Sequence, residues 1–558
     1  MNLTGIGVSP GVAQGRVIRI HHDDVELPLA EPAESDPQRA QAEIRAALDA
    51  VAAAMEHRAE RVSDPEAKDV LSATAMIARD PALNDEIAHQ LKNGKGRLSA
   101  LAASMDHFAV LLASLGEYMA ERVTDLRDVH RRAHARLLGN AEPGMPELSD
   151  PAIIIAEDLA PADTAALDPE LVLGIVTELG GPTSHTAILA AQLSIPAVVR
   201  CEGILDADPA TLGVDGSTGE VTVNPDAAQR ADLEDKRDRR ERLQAESEGP
   251  GRTKDGRHVE LLANIGTIGD ALVAAAGDVE GSGLFRSEFL YLGRHSAPTV
   301  EEQTESYREV FEAFGSRKVV VRTLDAGADK PLAFASLGPD VNPALGMRGL
   351  RLQREFPGLL ETQLEAIARA RDLTDVDVWV MAPMVATVAE IRWFADAARA
   401  AGLNTVGAMI EVPSSALRAE RILEVADFAS IGTNDLSQYL FAADRLQGRL
   451  GHLLDAWQPG LWQLVKHAAD AGTRAGKPIG ICGEAGGDPL LALVAVGAGI
   501  SSLSMSLTKV GLVRASLAMH TLDQCRAMTD AVIASLTPEE SRAAVLELAD
   551  PDVAELLL

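Results

Sequence analysis

HVELLAN (residues 258–264), SGLFRSE (282–288), KVVVRTLD (318–325), DVWVMAPM (377–384), TVGAMIEV (405–412), DFASIGTND (427–435), KPIGICGE (477–484) and SSLSMS (501–506) are eight strand-like runs with helical stretches between them. Eight strands alternating with helices over roughly 250 residues predict a parallel (β/α)8 barrel, whose functional groups collect at the C-terminal ends of the strands. Those ends carry Asn264, Arg286, Arg322 with Asp325, the apolar Met384, Glu411, Asn434 with Asp435, Cys482 with Glu484, and Ser504. Salt bridges would account for a few charged residues there. A ring holding arginines, carboxylates and a cysteine points to a site.

The guanidinium forks of Arg286 and Arg322 suit a small molecule carrying phosphate and carboxylate, with Arg348 and Arg445 as further candidates. Glu411 and Asp435 offer hard oxygens of the kind Mg2+ takes, one or two at a time, beside water and substrate. Lys330 is open between added charge and a surface ion pair. Cys482 is open between a thiol that titrates near neutrality and passes a proton to carbon, and an inert buried thiol.

Upstream, GGPTSHTAILA (180–190) follows the strand-like VLGIVTELGG (172–181) and runs into helical spacing, which places His185 at a helix N-terminus. Thr183 and Ser184 are good N-cap types, and the free amides there favour a group that will carry negative charge, such as a phosphoryl imidazole. A histidine merely hydrogen-bonded in a strand-to-helix turn is the alternative.

The remaining chain divides by composition. Residues 1–20 alternate like strands, with glycines as punctuation, and residues 36–139 read as a four-helix-like insert with breaks near Ser63-Asp64-Pro65, Asp80-Pro81 and Asn93-Gly94. Strand-like runs return at Pro151, Leu171, Pro196 and Glu220. Twenty residues bury no core alone, so the first strands are expected to join these later ones around the helical insert. A helix dense in both charge signs follows Asp226, and EGPGRTKDGR (248–257) ends it.

A chain of 558 residues, 46% hydrophobic and 24% charged, is long enough for several globular domains. Its formal net charge of −32 disfavours nucleic acid and anionic membranes, and makes a basic protein the better electrostatic partner. Three cysteines without a CxxC pair indicate neither a disulfide framework nor a structural zinc site. No leader or membrane span is read, so a cytoplasmic protein is expected.

Taken together, GIGVSPGVAQG (5–15), GGPTSHTAILA, GLFRSEFLYL (283–292), VRTLDAGADKP (321–331), NPALGMRGLR (342–351), GAMIEVPSSAL (407–417), SIGTNDLSQY (430–439) and ICGEAGGDP (481–489) resemble enzyme I of the phosphoenolpyruvate-dependent sugar phosphotransferase system. The histidine and barrel motifs are shared with pyruvate phosphate dikinase and phosphoenolpyruvate synthase. Those relatives carry an ATP-binding domain ahead of the histidine domain, whereas this chain opens on the histidine domain and inserts helices.

The resemblance implies an N-terminal phosphohistidine swivelling α/β domain (1–20 and 145–225), an inserted α-helical domain that docks the carrier protein HPr (33–142), a linker helix and hinge (226–255) and a C-terminal (β/α)8 barrel (256–545). It implies that Arg286, Arg322, Asn434, Asp435 and Arg445 bind phosphoenolpyruvate, and that Glu411 and Asp435 hold Mg2+. It further implies that His185 Nε2 takes the phosphoryl group and passes it to HPr, that Cys482 protonates the enolate carbon, and that the barrel forms a homodimer. The chain departs from the family at Leu446-Gln447 after Arg445, at Thr74 where a histidine is common, at Ala326 and Ala328, and at Ser287 where threonine is usual. A catalytically silent relative that senses HPr or phosphoenolpyruvate is the competing expectation.

Overall fold

The computed structural model describes the chain except for residues 21–30, 62–64, 115–116, 141–147, 149, 160–166, 169–170, 182–184, 194, 246, 293, 328–331, 336, 339–341, 446–447 and 554–558. Two compact units divide near Arg237 and Asp238, inside one charged helix, Ala227–Ala245.

In the first unit, an eight-stranded sheet comprises β1 (Asn2–Thr4), β2 (Ile6–Ser9), β3 (Val12–Arg19), β4 (Ala152–Ala156), β5 (Val172–Thr177), β6 (Ala197–Val199), β7 (Thr211–Asp215) and β8 (Glu220–Val223). Their order is β1-β8-β7-β3-β4-β5-β6-β2, with the central β3 to β6 parallel. Every residue of β4 is buried, and alternate side chains enter different cores: Ile153 and Ile155 one, Ile154 and Ala156 the other. A strand covered on both faces reads as an unbroken apolar run, which is why PAIIIA stands out in the sequence.

Strand β7 carries no such signal, because TLGVD is short and glycine-interrupted. The turn after it could have revealed it. Asp215 Oδ1 accepts from the amides of Ser217 and Thr218 at 2.9 and 3.2 Å, and Gly219 adopts φ of 80° where a Cβ would meet Gly5 O at 2.3 Å. That chemistry is an Asx turn closed by a left-handed glycine.

Between β3 and β4 lie α1 (Pro37–Arg61), α2 (Pro65–Ala78), α3 (Pro81–Lys92), α4 (Arg97–Ser114) and α5 (Glu117–Leu138), packed on their own core of Ile44, Val51, Met55, Leu71, Ile87 and Leu101, among others. Five helices replace the four-helix-like expectation. The unforeseen division falls between Ser114 and Glu117, where a lone Gly116 is a weak breaker in sequence.

The second unit is a closed parallel barrel of β9 (Glu260–Ile265), β10 (Gly281–Arg286), β11 (Lys318–Arg322), β12 (Asp377–Ala382), β13 (Val406–Ile410), β14 (Phe428–Ile431), β15 (Ile479–Ile481) and β16 (Ser502–Met505), with β16 pairing back onto β9. All eight strand-like runs are barrel strands. Leu284, Val320, Met381, Met409, Phe428 and Cys482 fill the interior, so it is a packed core and not a pore. The GPG run after the linker helix is anchored to this unit: the Gly249 amide donates to Asp278 Oδ2 (2.6 Å), and the Gly251 amide to Glu280 Oε1 (3.2 Å). Arg514 Nη1 also grips Ser247 O at 2.6 Å. Those bonds hold the C-terminal part of the 226–255 linker against the barrel unit. No helix among the described residues is long and apolar enough to cross a membrane.

Candidate active site

The ladder between β10 and β11 sets Arg286 opposite Arg322 at its last register position. Arg286 is exposed at the mouth, whereas Arg322 is buried. Arg322 Nη2 meets Glu288 Oε1 at 2.5 Å, and Nη1 meets Asp325 Oδ2 at 3.0 Å. Glu288 is 2% exposed and was not foreseen as part of the site; an acid inside the apolar SGLFRSEFL run was the available signal.

Arg348 is the centre of the charge network. Its Nε and Nη2 clasp the two oxygens of Asp325, each at 3.1 Å, and its Nη1 and Nη2 clasp those of Asp435 at 2.9 and 3.2 Å. A one-residue antiparallel bridge between Gly327 and Arg348 delivers it there, and a Cβ at Gly327 would come within 2.3 Å of Met347 O. Asp435 does not end a strand as expected: Asn434 and Asp435 sit in the first turn of the helix Thr433–Leu440, which begins two residues beyond β14. An acid there faces the positive helix end.

Glu411 follows β13 directly and is 1% exposed. The Met384 amide donates to its Oε1, and Met384 takes φ of 54°, a left-handed conformation unusual for methionine. Burial pushes the Glu411 carboxyl up to about 8, helped by Asp435 and Asp325 and opposed by Arg322 and Arg348. Two buried guanidiniums here face four carboxylates: Glu288, Asp325, Glu411 and Asp435. A hard divalent cation suits that excess, and two protein carboxylates are what Mg2+ ordinarily takes. Glu411 and Asp435 are the carboxylates here that could serve such a cation, with both Asp435 oxygens engaged by Arg348 in this structure; no group of three or more metal-binding side chains occurs among the described residues.

Cys482 follows β15 and is buried with Met381 and Met409. Burial raises its thiol above the ordinary range, and this outweighs the lowering by the Ser430 hydroxyl and Arg322. Of the two readings left open, titration near neutrality and a buried thiol, the direction of this shift favours the buried thiol, and a thiol that keeps its proton is the form a donor needs. Asn264 Nδ2 donates to Cys482 O (3.2 Å) and Ser504 Oγ to Asn264 Oδ1 (2.6 Å), so three strand ends are tied together. Asn434 is exposed, and its Oδ1 accepts from the Glu484 amide at 3.3 Å. Arg445 is partly buried, and its amide donates to Gln438 Oε1 (3.0 Å), fastening its loop to the helix of Asn434 and Asp435. Lys330, Ala328 and Leu446-Gln447 lie outside the described residues.

In the first unit, β5 leads into the glycine turn, and His185 is the first residue of the eight-residue helix His185–Gln192. Ala190 of this helix packs into the sheet core, and Thr186 Oγ1 donates to Asp158 Oδ1 at 3.3 Å. Arg200, unforeseen from sequence, takes φ of 53° and donates from Nε to Gly180 O at 2.9 Å, bracing the turn. Thr183 and Ser184 lie outside the described residues. Thr74 is fully buried in α2.

Residues 240–522 match the family description "PEP-utilising enzyme, PEP-binding domain", residues 148–219 "PEP-utilising enzyme, mobile domain", and residues 4–122 "PEP-utilising enzyme, N-terminal". The phosphoenolpyruvate-protein phosphotransferase of Streptomyces coelicolor is 48% identical over 545 residues, 97% of this chain and 98% of its own. Those of Geobacillus stearothermophilus (36% over 562 residues, 96% of each chain) and Bacillus subtilis (35% over 567 residues, 98% of this chain and 99% of its own) are similar along their whole lengths. With its three matched regions and its closed parallel barrel, the chain belongs to the PEP-utilising enzymes and, within them, to the phosphoenolpyruvate-protein phosphotransferase family of transferases.

Proposed function

We propose that this transferase moves the phosphoryl group of phosphoenolpyruvate to His185 and from there to a histidine of the carrier HPr, releasing pyruvate. The observation that carries the reading is the convergence of Arg322, Arg348, Glu411 and Asp435 beside a buried Cys482 at one barrel mouth. Arg286, Arg322 and Arg445 hold the phosphate and carboxylate, and Asn434 with Asp435 orient them. Glu411 and Asp435 hold Mg2+, which when bound supplies Lewis-acid neutralisation of the transferring group's charge.

Loss of the phosphoryl group leaves an enolate whose carbon must gain a proton. Cys482 Sγ donates it; burial keeps the thiol protonated until then, and the strongly basic enolate carbon, together with the Arg322 charge beside the sulfur, drives the transfer. The His185 imidazole attacks phosphorus, and the helix N-terminus behind it stabilises the added negative charge. Most of the acceleration comes from positioning and fixed charge, as in other phosphoryl transfers.

Residues 1–20 and 145–225 form the phosphohistidine domain, 33–142 the HPr-docking insert, 226–255 the linker and 256–545 the barrel. The linker supplies the pivot, and the bonds at Ser247, Gly249 and Gly251 favour a place ahead of them. The family's barrel homodimer is carried over. Three buried free cysteines, Cys201, Cys482 and Cys525, suit a reducing cytoplasm.

The test is incubation with phosphoenolpyruvate labelled on phosphorus and Mg2+. An acid-labile, base-stable phosphoprotein that passes its label to HPr is expected. Labelling from ATP instead, or equal labelling of His185→Ala, would sink the reading.

A further inference from the structure

Beyond Arg286 and Arg322 the β10–β11 ladder stops. Two buried carboxamides hold the chain there: Gln353 Nε2 donates to Leu324 O at 2.6 Å, and Gln363 reaches both sides of the ladder. Gln363, on the helix Pro357–Asp372 and fully buried, accepts at Oε1 from the Leu324 amide (3.0 Å). Its Nε2 donates to Ser287 Oγ (2.9 Å) and to Tyr307 Oη (2.8 Å). Ser287 Oγ in turn donates to Arg322 O at 2.6 Å.

Each of those contacts lies next to a substrate arginine. Ser287 follows Arg286, Leu324 is two residues beyond Arg322, and Tyr307 packs edge-on against Phe285, whose ring lies 5.8 Å away between centroids. We infer that Gln363 is a positioning residue for substrate binding, fixing the separation and direction of Arg286 and Arg322 through Ser287 and Leu324 without touching the ligand. The inference rests on the reading above that these two arginines grip the phosphate and carboxylate.

The side-chain chemistry is selective. One planar group here supplies an acceptor and two donors, which glutamine can do and a carboxylate or thioether cannot. Asparagine has the same atoms on a shorter stem and falls short of one partner or the other. A misplaced arginine fork weakens ligand binding before it alters the chemical step, because bidentate contacts are sensitive to angle.

The experiment measures exchange of labelled pyruvate into phosphoenolpyruvate by the full chain with Mg2+, a reaction that needs no acceptor protein. Gln363→Met and Ser287→Ala should each raise KM for phosphoenolpyruvate about tenfold while kcat changes less than about threefold. Ser287→Thr, which keeps the hydroxyl, should stay within about twofold of wild type. Gln363→Glu should show a KM ratio to wild type that shrinks as pH falls, since the protonated acid regains a donor; a merely structural role would leave that ratio flat. Thermal unfolding of each variant confirms that it is folded, and Ser287→Ala decides the matter should Gln363→Met not fold. Folded Gln363→Met and Ser287→Ala with wild-type KM would overturn the inference. Arg322→Lys is the separate control: a wild-type KM there would remove the arginine reading itself, independently of Gln363.

Discussion

The barrel mouth and the His185 turn solve opposite problems. At the mouth, Arg322, Arg348, Glu288, Asp325, Glu411 and Asp435 are all buried, and Arg348 is locked by two bidentate pairs to Asp325 and Asp435. Around His185 the described structure is a glycine turn braced by Arg200 and one short helix packed through Ala190. A site that must recognise a small, highly charged molecule needs preorganised charges whose desolvation is offset by mutual pairing. A group that only receives and hands on a phosphoryl needs little beyond a nucleophilic nitrogen and a positive helix end. On the proposed function, recognition falls to the rigid barrel mouth and carriage to His185 at its helix start.

Replacing His185 with alanine gives the largest effect. Phosphoprotein formation should drop by at least about 10⁴-fold, while calorimetric binding of phosphoenolpyruvate and Mg2+ stays near wild type. Loss of binding as well would erase the division of labour. Cys482→Ala should slow pyruvate formation by about 10³-fold with KM nearly unchanged, as the enolate loses its proton donor. Unchanged turnover in a rapid-quench assay would take that role from the thiol.

Arg348→Met should lower kcat by about 10²-fold and cost about 3 kcal/mol in urea unfolding, because Asp435 is left buried without its guanidinium. An equal or greater stability than wild type would mean that the network is not the rigid element supposed here.

The smallest effect is expected in the helical insert. Burial, with His134 and Arg131 reinforcing and Asp106 opposing, holds His130 down from 6.5 to about 4. The folded state binds fewer protons than the unfolded one between those values, so this contribution is fully present above pH 6.5 and is lost as pH falls through 4. Hydrogen exchange in the helix Glu117–Leu138 should show a loss of about 2 kcal/mol across that window, and His130→Gln should flatten it. A steep dependence that survives in the variant would assign the proton uptake elsewhere.

The fully buried strands were the legible part of the fold, because a run such as PAIIIA or KVVVR is apolar throughout and bounded by turn residues. The β7 strand and the fifth helix escaped notice, since TLGVD is short and Gly116 alone is a faint break. In the site, Arg286, Arg322, Glu411 and Cys482 were readable because each stands at or directly after the end of a strand. Glu288, Arg200 and the strained Met384 were not, because their importance lies in what they touch.

By itself, the sequence determined the barrel, the chemical types gathered at its mouth and the place of His185 at the start of a helix, all of which follow from local periodicity and short-range order. Tertiary structure alone decided that Arg348 bridges Asp325 and Asp435, that the Cys482 thiol is buried, that the GPG run is hydrogen-bonded to the barrel unit, and that Gln363 bonds to the chain beyond both arginine-bearing strands. Each of these depends on distances between residues far apart in the chain and on exclusion from water, and neither quantity is written in a linear pattern.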